Sequence, residues 1–267
     1  MQSLNKRRPL RLRSVFISDV HLGSRGCRAE LLLEFLRAIE VETLYLVGDI
    51  VDFWAMRKSF YWPQAHNDAV RTILGKAKAG TRVIYVPGNH DEDFREFVGS
   101  AFGNLEIHRE YVHMTARGQR LLVMHGDEFD GVVKCSPWLA RLGATMYEFT
   151  LALNRHVNRM RRWFGFPYWS LAGYLKHKVK NAVQYIASFE RAVAHEARRR
   201  QVDGVVCGHI HRAEITRLDG VLYCNDGDWV ESCTALVEDK NGRLAILSWP
   251  HVRTHVLQPA EPRELAA

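Results

Sequence analysis

RVIYVPGNHD, residues 82–91, is the stretch on which the reading of this chain turns. Val83, Ile84, Tyr85 and Val86 form an unbroken apolar run, which suits a short strand buried on both faces. Pro87 and Gly88 then break the run, and an amide, an imidazole and a carboxylate follow directly as Asn89, His90 and Asp91. Four other stretches have the same form: RSVFISDVHLG (13–23), LYLVGDIVD (44–52), RLLVMHGDEFD (120–130) and DGVVCGHIH (203–211). Between the first three strands in chain order lie helix-like segments. Residues 28–40 carry Leu32, Phe35, Leu36 and Ile39 at helical spacing, and HNDAVRTILGKAKAG (66–80) ends on a glycine cap. This alternation predicts βαβ units and an α/β fold. After His211 the pattern changes to short strands with Asp219-Gly220 and Asn241-Gly242 as hairpin turns, which predicts an antiparallel meander completing a sheet.

The totals limit the function classes. The 267 residues are 47% hydrophobic and 25% charged, a globular balance. No apolar run approaches the roughly 18 residues of a membrane span. The N-terminal stretch MQSLNKRRPLRLRSVF is basic and lacks the apolar core of a signal peptide, so it reads as a cytosolic start. Cys27, Cys135, Cys207, Cys224 and Cys233 are widely spaced and include no CxxC pair, which predicts reduced structural thiols.

Each predicted strand ends in groups able to bind a metal: Asp19 and His21, Asp49, Asn89 and His90, His125, and His209 with His211. In open α/β sheets ligands bind at the carboxyl ends of strands, so residues far apart in sequence are expected to converge there. Alternation along an extended strand is expected to put Asp19 and His21 on one side, and likewise His209 and His211. Glycines 48, 88, 126 and 208 sit beside these positions, where backbone must come close to an ion. Imidazole and carboxylate donors suit Mn, Fe or Zn.

Taken together, DVH, GDIVD, GNHD, HGDEFD and GHIH resemble the motif set of the calcineurin-like metallophosphoesterase superfamily, over about residues 14–130 and 203–249. The resemblance implies a four-layer αββα sandwich with a helical insertion, and two divalent ions, most often Mn2+. By the same resemblance Asp19, His21 and His211 would hold one ion, Asp49 would bridge, and Asn89, His125 and His209 would complete the second set. His90 is implied to act on the phosphoryl group or the leaving oxygen. Asp52 is the matching candidate to orient it; the competing reading of Asp52 is a helix N-cap.

The net charge of +7 is concentrated in one segment. Residues 132–200 hold 13 Lys+Arg against 3 Asp+Glu, while the rest of the chain holds 24 against 27. The segment is helical in period: Leu139 to Met160 and Leu171 to Val193 step by three and four, broken by GFPYW (165–169). The expected organisation is a core of 1–131 and 201–258, a helical lid of 132–200 and a flexible tail of 259–267. RRWFGFPYWS (161–170) mixes cations and large aromatics in a way that suits an anionic lipid surface. Against that, Phe149 and Phe189 read as packing between helices and EARRR (196–200) as a solvated last turn complementing the helix dipole. A single-stranded nucleic-acid surface ranks lower, because no recognisable RNA module is present.

Within the superfamily this insertion, with HGDEFD, LKHKVK and DGDWVES, resembles the UDP-2,3-diacylglucosamine diphosphatase (LpxH-type) group of lipid A synthesis. The resemblance implies cleavage of the pyrophosphate of UDP-2,3-diacylglucosamine to UMP and 2,3-diacylglucosamine 1-phosphate, by a cytoplasmic protein peripherally bound to the inner membrane. Besides Asn89 and His90, Lys176 and Lys180 are candidates to reach the substrate phosphates, followed by Arg155, Arg159 and Arg162. One position departs from the group: His90 stands where its best-known members carry Arg. Two alternatives remain at this point, a phosphodiesterase or pyrophosphatase acting on another nucleotide-linked or lipid phosphoester, and a non-catalytic metal-binding scaffold.

Overall fold

The structure is a computed structural model that describes residues 9–130 and 171–252, with side chains described from Tyr185 onward in the second span. The chain divides into two compact units, Met1–Asp127 with Glu196–Ala267, and Glu128–His195.

In the first unit, β1 (Leu10–Ile17), β2 (Ile39–Val47) and β3 (Arg82–Val86) lie side by side in parallel, as the alternation with helices predicts. They form the middle of a seven-stranded sheet. β5 (Leu105–Ile107) and the short β4 (Ala101–Phe102) extend it on one side, and β11 (Thr234–Glu238) and β12 (Leu244–Ser248) on the other. A five-stranded sheet has the order β6 (Tyr111–Met114), β7 (Arg120–Val123), β8 (Gly204–Cys207), β10 (Val221–Asn225) and β9 (Glu214–Leu218), with β7, β8 and β10 parallel. The predicted C-terminal meander is therefore not one unit. Both hairpin turns form where expected, but the β9–β10 hairpin joins the five-stranded sheet and the β11–β12 hairpin the seven-stranded one.

The continuous apolar runs have the predicted cause, burial on both faces. Ile17, Leu44, Leu46, Val83 and Tyr85 face a layer formed by α1 (Ala29–Ala38) and α3 (Gln64–Lys78), whose Leu32, Phe35, Leu36, Ala69 and Ile73 complete that core. Phe16, Tyr45, Val47, Ile84 and Val86 face the other way and meet Leu121, Val123, Val206 and Cys224 of the second sheet. Each large side chain buried in this way contributes about 1.5–3 kcal/mol. Helix α1 stops earlier than its periodicity suggests. Ile39 and Glu40 pair in parallel with Leu10 and Arg11 and so start β2, where sheet hydrogen bonds outweigh the helical spacing.

A buried polar chain joins the two sheets. Tyr45 Oη lies 2.8 Å from His113 Nδ1, and His113 Nε2 lies 2.8 Å from Glu238 Oε2. Glu238, with no solvent exposure, also accepts from Arg13 Nη1 at 2.9 Å and from the Ala116 amide at 2.7 Å.

In the second unit, helix α4 (Leu171–Arg199) carries the second of the two predicted helical runs, continuing four residues into the first unit; the first run, Leu139 to Met160, lies outside the described residues. Phe189 is fully buried and meets the Phe129 ring edge-on at 6.3 Å, consistent with a packing role. Among the described residues no helix is long and apolar enough to cross a membrane. Cys27, Cys207, Cys224 and Cys233 are free thiols, and Cys135 lies outside the described residues.

Candidate metal centre

The carboxyl ends of β1, β2, β3, β7 and β8 lead into five short loops whose polar residues meet at one place. Asp19, His21, Asp49, His209 and His211 all have left-handed backbones, with φ between 49° and 68°. Side-chain-bearing residues avoid that region, at about 1–3 kcal/mol each, so the surrounding structure must hold them there. The alternation expected to pair Asp19 with His21, and His209 with His211, is thus replaced by left-handed turns beyond the strand ends. The pairs still share the site, with His21 Nε2 3.9 Å from Asp19 Oδ1. Close approach also requires glycine: a Cβ at Gly88 would overlap Asp49 Oδ1, and one at Gly208 would overlap Ser18 Oγ.

Three sets of ligand atoms each lie within 4.8 Å of one another: Asp19, His21 and His211; Asp19, Asp49 and His125; and His21, Asp49 and His90. Asp19, His21 and Asp49 each belong to two sets. His211 Nε2 is 2.8 Å from Asp19 Oδ1, and His125 Nε2 is 3.4 Å from Asp49 Oδ2. His209 is placed beside them by its backbone amide, which donates to Asp19 Oδ2 at 2.8 Å, and by a ring contact with His125 at 5.2 Å.

The imidazoles are oriented from behind. His125 Nδ1 is 2.8 Å from the Val47 carbonyl, and His21 Nδ1 is 3.2 Å from Asp52 Oδ2. A proton on each Nδ1 satisfies these contacts, so that displacement of the Nε2 proton by a cation would leave that lone pair facing the cluster, the arrangement that metal-binding histidines need. Asp52 has three partners. It accepts from the Ala55 amide at 2.7 Å as N-cap of α2 (Phe53–Lys58), and it lies 2.9 Å from His90 Nδ1 as well as meeting His21. Asp52 therefore caps α2 and at the same time contacts His90, the side chain it was expected to orient.

Whether the residues fit a cation is tested by their unsatisfied atoms. Asp19 Oδ1, His21 Nε2, Asn89 Oδ1 and His125 Nε2 are buried and have no hydrogen-bond partner, the His211 imidazole facing Asp19 Oδ1 as an ion-pair neighbour. An orphaned buried polar atom costs about 1–3 kcal/mol. Three of the four lie in the ligand sets and the fourth, Asn89 Oδ1, in the loop after β3; all are oxygen or imidazole nitrogen, which suits divalent cations. Electrostatics agree. Burial pushes the Asp49 carboxyl up, but His125 and His21 outweigh it and bring it to about 2. Burial likewise opposes ionisation of Asp19, and His211, His125 and His21 hold it well below the usual carboxylate range. At His90 burial acts downward, but the hydrogen bond to Asp52 and the charges of Asp49, Asp52 and Asp19 raise it above the ordinary imidazole value.

The profile of the calcineurin-like phosphoesterases matches residues 12–213. The chain belongs to the calcineurin-like phosphoesterase family. It is accordingly a phosphoric ester hydrolase of a family that binds divalent metal, and the cluster supplies candidate ligands for it. Among relatives, the chain is 25% identical over 242 residues to a UDP-2,3-diacylglucosamine hydrolase of Neisseria gonorrhoeae, covering 81% of this chain and 89% of that protein. It is 26% identical over 262 residues to one of Vibrio cholerae, covering 90% and 98%. It is 25% identical over 246 residues to one of Porphyromonas gingivalis, covering 83% and 92%.

Of the other residues expected at this phosphoesterase's site, Lys176 and Lys180 fall on α4, but their side chains, and Arg155, Arg159 and Arg162 altogether, lie outside the described residues. Three further residues lie at the site: Ser18 and Trp54 carry no motif signal, and Asp226 opens the DGDWVES stretch without being singled out there. Ser18 Oγ lies 2.6 Å from Asp19 Oδ2 and 2.5 Å from Asp226 Oδ1, so one hydroxyl proton serves two carboxylates, and burial pushes Asp226 well up. The Trp54 ring lies 4.4 Å from the His90 ring. Its position two residues after Asp52, in the first turn of a capped helix, is the only sequence feature that could have pointed to it.

Proposed function

We propose that this phosphoesterase hydrolyses the pyrophosphate bond of UDP-2,3-diacylglucosamine, giving UMP and 2,3-diacylglucosamine 1-phosphate. The reading of the site rests on the four orphaned buried atoms. The choice of substrate is supported by the printed activity of relatives that align over most of both chains.

In this reading Asp19, His21 and His211 would hold one cation and Asn89, His125 and His209 a second, Asp49 would be shared between the two sets, and Mn2+ would be the preferred ion. Two such ions supply charge neutralisation for the phosphoryl oxygens and a water nucleophile at neutral pH. The chain's own residues do the rest. Asp52 binds His90 Nδ1 and keeps Nε2 available to a phosphoryl oxygen or to the departing oxygen. The His90 amide binds Asp49 Oδ1 at 2.8 Å and so fixes the bridging carboxylate. Segment 132–200 acts as a lid that receives the acyl chains, with Lys176, Lys180, Arg155, Arg159 and Arg162 contacting the phosphates. Its cations and aromatics hold the protein at the cytoplasmic face of the inner membrane.

A second reading, a pyrophosphatase or phosphodiesterase acting on another nucleotide-linked or lipid phosphoester, is favoured by one observation: His90 occupies the position after Asn89 where the resembled group carries Arg. One panel separates the two. With full-length protein and Mn2+, UMP release from UDP-2,3-diacylglucosamine in detergent micelles is expected to exceed turnover of UDP-glucose, a CDP-lipid and a simple phosphodiester. Equal turnover of UDP-glucose would sink the lipid assignment, and activity undiminished by chelation would sink the metal centre.

A further inference from the structure

Asp91, the last residue of the opening motif, has no solvent exposure and a complete set of partners. Its Oδ1 accepts from the Gly88 amide at 2.7 Å and the Asp49 amide at 3.2 Å. Its Oδ2 accepts from the Ile50 amide at 2.8 Å, the Val51 amide at 3.3 Å and the Tyr85 hydroxyl at 2.5 Å. A carboxylate offers about four lone-pair positions, so these five donors leave none for a cation. Asp91 is surrounded by ligands without being one.

The four amide donors come from two different loops, and the hydroxyl donor Tyr85 from β3. Asp49, Ile50 and Val51 follow β2, while Gly88 follows β3. The contact is also reciprocal, since the His90 amide of the second loop donates to Asp49 Oδ1 of the first. Asn89 is thereby pinned on both sides: the amide before it is held by Asp91 and the amide after it by Asp49. Asp49 itself is held in its left-handed backbone, φ 55°, by the Asp91 carboxylate.

We infer that Asp91 is a positioning residue that sets the separation of Asp49 and Asn89, and through them the ligand set of the second cation. The inference rests on the metal-centre reading above. By contrast, Asp91 makes no hydrogen bond to Asp19, His21 or His211, so it reaches the first ligand set only through the shared Asp49.

The test is titration of Mn2+ into chelator-stripped, full-length protein, followed by calorimetry, with melting in EDTA as the control for folding. The unaltered protein is expected to take up two ions per chain. Asp91→Asn keeps the size but puts an NH2 among N–H donors. It is expected to weaken one of the two binding steps by about ten-fold or more, the usual scale for groups behind metal ligands, and to weaken the other, which shares Asp49 but not Asn89, clearly less. Tyr85→Phe removes only the hydroxyl donor. It is expected to weaken the same step by about three-fold with melting in EDTA little changed, and it carries the test if Asp91→Asn does not fold. Unaltered affinity of both steps in a folded Asp91→Asn, or in Tyr85→Phe where that variant carries the test, overturns the inference alone. So does equal weakening of both steps, which is what a general loss of structure produces. Failure of the unaltered protein to take up Mn2+ overturns the metal-centre reading along with it.

Discussion

Replacing Glu238 by Gln tests how the two sheets are held together. The side chain is fully buried on β11 and receives hydrogen bonds from Arg13 and Ala116 and a contact from His113, of which His113 and Ala116 belong to the other sheet's side of the sandwich. Burial pushes its carboxyl up, but the hydrogen bonds from His113 and the Ala116 amide outweigh that and leave it at about 2. The folded value lies below the unfolded one, so ionised Glu238 adds stability above the unfolded value and loses it as pH falls towards about 2. A shift from about 4.5 to about 2 corresponds to at most about 3 kcal/mol. Water reaching Arg13, 29% exposed, screens part of this, so we expect about 2 kcal/mol at pH 7. Urea unfolding followed by circular dichroism reads the difference directly. Glu238→Gln should be about 2 kcal/mol less stable at pH 7, and the gap should close as pH is lowered from about 4.5 towards 2. A gap that does not change with pH would refute the electrostatic argument, and no gap at pH 7 would refute the role of the polar chain altogether.

Four further outcomes concern the site. His90→Ala should lower kcat about 10²- to 10⁴-fold, the range for a lost acid-base group, and an unchanged kcat would exclude His90 from the chemistry. Asp52→Asn keeps a good N-cap but weakens the hold on His21 and His90; activity should fall with melting nearly unchanged, whereas Asp52→Ala should also lose about 1 kcal/mol of stability. Gly88→Ala places a methyl group against Asp49 Oδ1 and 2.7 Å from His125 Cδ2, and should reduce Mn2+ uptake in calorimetry; normal uptake would show that the loops accommodate it. Adding Mn2+ to chelator-treated protein at about 100 times its dissociation constant should stabilise it by about 2.7 kcal/mol per site, and a melting temperature unmoved by Mn2+ would contradict the fit of the orphaned atoms.

Much of this architecture was legible because each central strand is apolar on consecutive residues and ends in polar groups. That signature marks both the buried parallel sheet and the place where its loops converge. Local pattern failed where long-range pairing decided. Ile39 fits the α1 stripe yet is drawn into β2 by Leu10, and the two C-terminal hairpins look alike in sequence but join different sheets. Short edge strands such as β4 and β6 are too brief to give a period. Glu238 reads as the polar end of a strand beside a turn, and nothing local shows that it is buried against His113. At the site, the candidate ligands were found by their repeated position after strands, whereas Ser18, Trp54 and Asp226 act through neighbours remote in sequence.

The left-handed backbones at Asp19, His21, Asp49, His209 and His211 bear on which replacements these positions could tolerate. Asp, Asn and His visit that region more readily than other side chains, and β-branched residues hardly at all. A change to Val or Ile at any of the five would therefore add backbone strain to the loss of a polar group, whereas a change to Gly would remove the same group and relieve strain. The two kinds of substitution should part company in stability while agreeing in lost function.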